Sequence, residues 1–275
     1  MRTVILIAIT LVAYNTAESC GTTPIAPNLY VGNAVIGGGT VSAYSWPWNV
    51  AICTADWFGN CDFQLGGTVI SPIWVLTSAS FVTGRTKRED YRVKSGVFDQ
   101  SNMKEASEQI AEVTRIVVHP DFDGTHNDIA LLQLTTPLRY DQFTQPVCLP
   151  LNDDVQTQEG QTAWFTGWGY TRNFELNTPT KQLQQANLYI DSPSECSSYY
   201  RTSLWGSELC VGSAHKTTCN FDLGSPLVQQ PNNDGIWYQY GISSYSARTC
   251  EAAGVFTRVS SFCSWISSET GVNCI

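Results

Sequence analysis

The sequence predicts an all-β protein of barrel or sandwich architecture with little helix, and three features carry that expectation. Short runs of β-branched and aromatic residues recur between turn-forming residues along the chain. One segment alone, near the C-terminal end, has good helical periodicity. Ten cysteines, an even number, suit a disulfide-stapled extracellular domain better than a metal site, because no pair stands at zinc-ligand spacing beside a histidine.

In chain order, the first 19 residues read as a secretory signal peptide: Arg2, an apolar run over 4–13, and small residues around Ala17-Glu18-Ser19, where cleavage is expected. The apolar run is too short to span a bilayer, and no later stretch of about 18 residues is apolar throughout, so no membrane span is expected. Residues 20–34 are too few for a separate disulfide-rich module. Strands are expected over 48–52, 68–77, 91–94, 110–118, 129–134, 163–167, 185–190, 227–229, 236–242 and 255–258. A terminal helix is expected over 260–269, where Phe262, Trp265 and Ile266 fall three and four apart before Gly271 ends the pattern.

The formal charge of −9 survives removal of the leader, which takes away one basic and one acidic residue, Arg2 and Glu18. Such a surface repels phosphates and sulfated glycans, so nucleic acid is not an expected partner. The three histidines, His119, His126 and His215, are scattered, and no metal or cofactor is expected. What remains after the leader, roughly 255 residues, is enough for one large β domain or two small ones sharing a core.

Seven motifs stand in order along 35–270: Val35-Ile36-Gly37-Gly38, Ser45-Trp46-Pro47-Trp48, Gly66-Gly67-Thr68-Val69-Ile70 with Trp74-Val75-Leu76-Thr77, Asn127-Asp128-Ile129-Ala130-Leu131-Leu132, Gln145-Pro146-Val147-Cys148-Leu149-Pro150, Thr166-Gly167-Trp168-Gly169, and Gly241-Ile242 before Ser244-Tyr245-Ser246. Together they resemble the chymotrypsin/trypsin family of serine proteases. The resemblance implies two six-stranded antiparallel Greek-key barrels, the first about 35–142 and the second, with a C-terminal helix, about 143–275, after a short activation-peptide-like segment at 20–34. It also implies the disulfides Cys20–Cys148, Cys196–Cys210 and Cys219–Cys250. Cys53 with Cys61 and Cys263 with Cys274 remain, each pair near enough in sequence to close locally. Two bridges usual in the family would join the positions of Leu65 with Phe81 and of Ala163 with Gln229, and both partners of each are absent.

Carried onto these motifs, the resemblance puts Leu223, in Cys219-Asn220-Phe221-Asp222-Leu223-Gly224-Ser225-Pro226, at the nucleophile's place. Ser80, in Trp74-Val75-Leu76-Thr77-Ser78-Ala79-Ser80-Phe81, stands at the general base's place, and Asp128 is the orienting carboxylate. Acyl transfer needs an oxygen nucleophile, an imidazole to take its proton, a carboxylate behind the imidazole and amides aimed at the oxyanion. An isobutyl group cannot attack, a hydroxyl accepts no proton near neutral pH, and Phe221 replaces the glycine whose amide usually lines the oxyanion hole. His126 with Ser78 or Ser225 offers a displaced dyad as the competing arrangement; a loop histidine, a strand hydroxyl and a small residue before Pro226 are the plainer readings. Asp128 is either a leftover orienter or, the favoured reading, a buried acid satisfied by backbone amides or Ser80.

Asp222 corresponds to the acid that pairs with the freed amino terminus of activated relatives, here Val35. No Lys or Arg occurs between Cys20 and Gly84, so the usual tryptic cut is not available after Ala34, and a single-chain, zymogen-like protein is expected, with loops 216–218 and 246–249 mobile. Thr217, Ser246 and Gly254 fall at the specificity-pocket positions, and Val97 replaces the first glutamate of the family's calcium loop. The favoured function is a secreted, non-catalytic homologue acting by binding extracellular proteins such as proteases, inhibitors or receptors. The alternatives are a serine hydrolase with a rewired site and an extracellular recognition or structural protein. The loops at 54–60 with Trp57 and Phe58, at 172–180, and at 198–207 with Tyr199, Tyr200 and Trp205 are the expected binding surfaces.

Overall fold

Antiparallel pairing closes the strands into two six-stranded barrels. The computed structural model describes residues 19–29, 39–55, 61–83, 87–100, 105–169, 180–213, 217–218, 222–247 and 252–275. The first barrel is formed by β2 (Asn49–Ala55), β3 (Cys61–Ser71), β4 (Trp74–Thr77), β5 (Tyr91–Ser95), β6 (Gln109–Val118) and β7 (Ala130–Leu134), in the order β2-β3-β4-β7-β6-β5 with β5 returning to β2. Its interior follows from two-residue periodicity: in β5 the buried Tyr91, Val93 and Ser95 alternate with the more exposed Arg92 and Lys94.

The second barrel runs through β8 (Thr162–Gly167), β9 (Gln184–Asp191), β10 (Glu208–Val211), β13 (Gly254–Arg258), β12 (Tyr238–Tyr245) and β11 (Pro226–Gln229), and β8 pairs with β9 to close it. The short β1 (Gly39–Thr40) is added outside on β9. Ala163, Phe165, Leu188, Val211, Leu227 and Phe256 fill this barrel, and Val50, Leu65, Val75, Tyr91, Leu132 and Val93 belong to the core of the first. A third cluster draws on both barrels and is rich in indoles, with Trp46, Trp48, Trp168 and Trp237 all nearly or fully buried. Trp46 meets Trp237 edge to face at 4.8 Å, a geometry favoured by the ring quadrupoles.

Among the described residues there are three α-helices: α1 (Ala79–Val82), α2 (Pro193–Tyr200) and α3 (Cys263–Thr270). The terminal helix begins as a 3₁₀ turn over Val259–Phe262 and ends at Gly271, whose φ of 75° is the left-handed cap conformation. No helix among the described residues is long and apolar enough to cross a membrane. Disulfides join Cys20 to Cys148, Cys53 to Cys61, Cys196 to Cys210 and Cys263 to Cys274; Cys219 and Cys250 lie outside the described residues.

Several sequence expectations are corrected. The run 68–77 is two strands, because Pro72 cannot continue a ladder and the chain turns at Pro72-Ile73. Its first half extends back to Cys61 through residues whose polar side chains hid it. The run 236–242 starts later, at Tyr238, and continues to Tyr245. α2 reaches into the loop expected at 198–207, so Tyr199 and Tyr200 sit on a helix, and β10 follows at 208–211, where no strand was expected; Tyr200 donates its hydroxyl to Ala253 O at 2.8 Å and is packed. Tyr199 and Trp205 remain about half exposed. Trp57 and Phe58, and residues 172–179, lie outside the described residues.

The loop after Val97 is gathered by Glu105, whose carboxylate accepts the N–H groups of Phe98 and Asp99 at 2.9 and 2.7 Å. Nearby, the buried Glu108 faces Lys94 at 3.7 Å. Burial raises the Glu108 carboxyl above its ordinary value, and the Lys94 ammonium opposes that rise. Removing one partner of a buried pair leaves an uncompensated charge, so Lys94→Met is expected to cost about 3 kcal/mol, while adding Glu108→Gln recovers most of the loss. Urea unfolding of the two single variants and the double variant measures this coupling.

Candidate functional site

The end of β4 lies beside the start of β7, since Thr77 pairs with Ala130, and that register brings the first turn of α1 against residue 128. The Ser80 backbone N–H donates to Asp128 Oδ1 at 2.6 Å. From the second barrel, the Ser244 hydroxyl on β12 donates to Oδ2 at 2.6 Å. The Thr257 hydroxyl on β13 donates to the Asp128 carbonyl at 2.8 Å. Asp128 is therefore pinned by both barrels, and only 1% of its surface is exposed. Burial pushes its carboxyl above the usual aspartate value, with the Ser244 and Ser80 bonds acting in the opposite direction.

Leu223 sits in a tight turn clamped from both sides. Gly66 N–H in β3 donates to Leu223 O at 2.9 Å, Gly224 N–H donates to Ser243 O at 2.8 Å, and Ser225 N–H donates to Asp222 O at 3.1 Å. The Leu223 side chain packs on the first barrel's core. Gly224 has φ of 76°, and a Cβ there would collide with Thr77 Oγ1 and Gly66 O, so the turn requires glycine. Ser225 is fully buried in contact range of Gly66 and Gly167, the position of a packing residue.

Asp222 is buried and accepts the Gly169 N–H at 3.0 Å. Its carboxylate occupies the space that a Cβ on Gly167 or Gly169 would need, which explains both glycines of Thr166-Gly167-Trp168-Gly169. Val35 and Phe221 lie outside the described residues, as do Lys216, Arg248 and Thr249.

Tyr245 ends β12 and Gly254 begins β13, while Thr217, Thr218 and Ser246 lie outside the strands. Thr218 is buried, and a Cβ on Gly254 would approach its hydroxyl to 2.5 Å. Tyr245 meets Tyr200 edge to face at 5.1 Å. Burial pushes the Tyr200 phenol up to about 12, so it stays a neutral hydrogen-bond donor.

His126 is turned to other partners. Its Nδ1 lies 2.9 Å from Glu208 Oε1, and its ring stacks on Trp205 at 4.0 Å with 10° between the planes. Glu208 Oε2 meanwhile accepts the Trp205 N–H at 2.8 Å, so the histidine belongs to a knot that fastens the loop before β10. Ser78 is fully buried just before α1, so it is not a strand hydroxyl. Among the described residues no group of three or more His, Cys, Asp or Glu side chains could hold a metal ion.

The sequence does not reveal Ser244, Thr257 and Gly169 as partners of the two buried acids, because each lies far along the chain and only barrel closure brings it near. The one available signal is their place within the motifs Thr166-Gly167-Trp168-Gly169 and Ser244-Tyr245-Ser246 and beside Arg258.

Comparison with known proteins gives the same frame. The family model described as Trypsin matches residues 35–266. Ovochymase of Halocynthia roretzi is 32% identical over 250 residues, a match that covers 88% of this chain and spans 15% of that relative's length.

Proposed function

We propose that this chain, which belongs to the trypsin family, is a secreted, non-catalytic member that acts by binding extracellular proteins, as a cofactor, decoy or regulator of proteases or their inhibitors. The observation that carries the reading is Leu223, a hydrocarbon at the place corresponding to the family's nucleophile, held in a turn clamped between the barrels. Ser80, at the base's place, supports it, because its amide is bound to one oxygen of the Asp128 carboxylate while the Ser244 hydroxyl takes the other. The engagement of His126 with Glu208 and Trp205 speaks against a displaced dyad.

The disulfides and the leader-like first 19 residues support secretion. The absence of Lys or Arg from 20–84 supports a single-chain form with Ala34-Val35 intact. Sequencing the native protein is expected to give an amino terminus near Ser19 or Cys20; Val35 as the principal terminus contradicts the single-chain reading. For the binding role, the purified chain is added to active trypsin-family proteases with protein inhibitors present. A saturable change in the inhibition rate of at least one pair is expected, and unchanged rates across all pairs count against a regulator.

A further inference from the structure

On the second barrel is a cavity of about 330 Å³, near the lower end of the range typical of small-molecule sites. Three separate segments wall it: Leu29 from the N-terminal segment, residues 155–164 leading into β8, and residues 229–237 between β11 and β12. Although the whole chain has a formal charge of −9, none of the side chains lining this cavity is charged. Two are indoles, Trp164 and Trp237, and five are carboxamides, including Gln156, Gln161, Gln229 and Gln230.

The walls are fixed before any ligand arrives. Trp237 is held by Gly21 and Cys148 through its backbone and by Trp46 through its ring. Gln229 Nε2 donates to Gln156 O at 2.8 Å, which ties two of the walls together. The turn between β11 and β12 is set by positive φ at Asn233 and Gly235, and by Ile236 N–H on Asp234 Oδ1 at 2.9 Å. The Cys20–Cys148 disulfide and the bond from Gln185 Nε2 to Asn28 O at 2.6 Å hold the segment carrying Leu29 against the body. Prior ordering of this kind lowers the entropic cost of binding.

A carboxamide presents a donor and an acceptor on adjacent atoms, and so does each pair of neighbouring sugar hydroxyls. The partly exposed Trp164 indole and the exposed aliphatic surfaces of Leu29 and Val155 suit the apolar C–H face of a pyranose ring, while the buried Trp237 backs the wall. Among the described residues that line it, none offers a cation to a carboxylate, sulfate or phosphate, or an anion to an ammonium. We infer that this cavity, formed by Leu29, Trp164, Trp237 and the surrounding glutamines, is a binding site for one neutral monosaccharide residue, such as the terminal hexose or N-acetylhexosamine of an extracellular glycan. The site is separate from the Leu223 turn and does not depend on the reading of that turn.

Saturation-transfer NMR on the full purified chain tests this with galactose, mannose, glucose, N-acetylglucosamine and N-acetylgalactosamine, against sialic acid, glucuronic acid and a short blocked peptide. At least one neutral sugar is expected to bind and both acidic sugars to fail. Gln161→Ala and Gln230→Ala are each expected to weaken that sugar at least tenfold with an unchanged melting temperature. Trp164→Phe, which keeps an aromatic ring in the wall, is expected to weaken it less than Trp164→Ala. Absence of binding by every neutral sugar overturns the inference, as does equal binding by the acidic sugars, a sugar signal that survives both glutamine variants, or binding of the peptide alone.

Discussion

Gly224→Ala is expected to destabilise the protein by about 4 kcal/mol. The left-handed backbone at φ 76° costs a residue with a Cβ about 1–2 kcal/mol. The added methyl also meets Thr77 Oγ1 and Gly66 O at the contact between barrels. These atoms cannot withdraw freely, because the Thr77 hydroxyl itself donates to Gly66 O at 2.8 Å. Forcing a methyl into such a place costs a further ~1–3 kcal/mol. The midpoint of urea unfolding measures the sum, with the slope of the transition expected to hold. A loss under about 1 kcal/mol means that the turn at 222–225 relaxes in a way these contacts do not allow. Since that turn carries Leu223, the same measurement reports how firmly the leucine is held.

Asp128→Ala and Asp128→Asn are expected to differ sharply although both remove the charge. Alanine strands the Ser80 N–H and the Ser244 hydroxyl in a buried place, and each unsatisfied donor costs about 1–3 kcal/mol. A total near 4 kcal/mol follows. Asparagine keeps an acceptor for the Ser80 amide and presents its NH₂ to the Ser244 oxygen, so its stability is expected to stay within about 1 kcal/mol of the natural protein.

The pH dependence carries a definite sign. Burial raises the folded-state carboxyl of Asp128 above its unfolded value, so the protonated acid is favoured in the folded chain. Stability from this group is fully present below the unfolded aspartate value of about 4 and is lost as pH rises through the higher folded value. Asp128→Asn does not titrate there. Its stability relative to the natural protein is therefore expected to improve between about pH 4 and neutrality, and a relative stability that worsens over that range shows that the carboxylate is preferred as the anion.

Most strands of both barrels could be read in the sequence because alternating or wholly apolar runs such as Tyr91-Arg92-Val93-Lys94 and Ala130-Leu131-Leu132 declare their burial. The elements that could not be read are those whose local chemistry argues otherwise. β10 has four residues and begins with Glu208, a buried acid that makes sense only once His126 and the Trp205 amide are beside it. α2 contains Ser194, Ser197 and Ser198, poor helix formers, and the Ser192-Pro193 start is its one local sign. The first half of β3 carries Asp62 and Gln64, whose polarity suits its partly exposed face. At the candidate site the identities of Ser80, Asp128, Asp222 and Leu223 stand in local motifs, whereas the bonds from Ser244 and Thr257 span 116 and 129 residues. Such partners become visible only when the barrels close.

The measurement that bears most directly on the proposed lack of catalysis is labelling of the purified, folded chain with a fluorophosphonate, run beside turnover of a mixed peptide and ester substrate library. With a hydrocarbon at residue 223, no serine is expected to take up the probe and no product to accumulate above the buffer rate. Stoichiometric labelling of any serine, or steady saturable turnover blocked by the probe, contradicts the account.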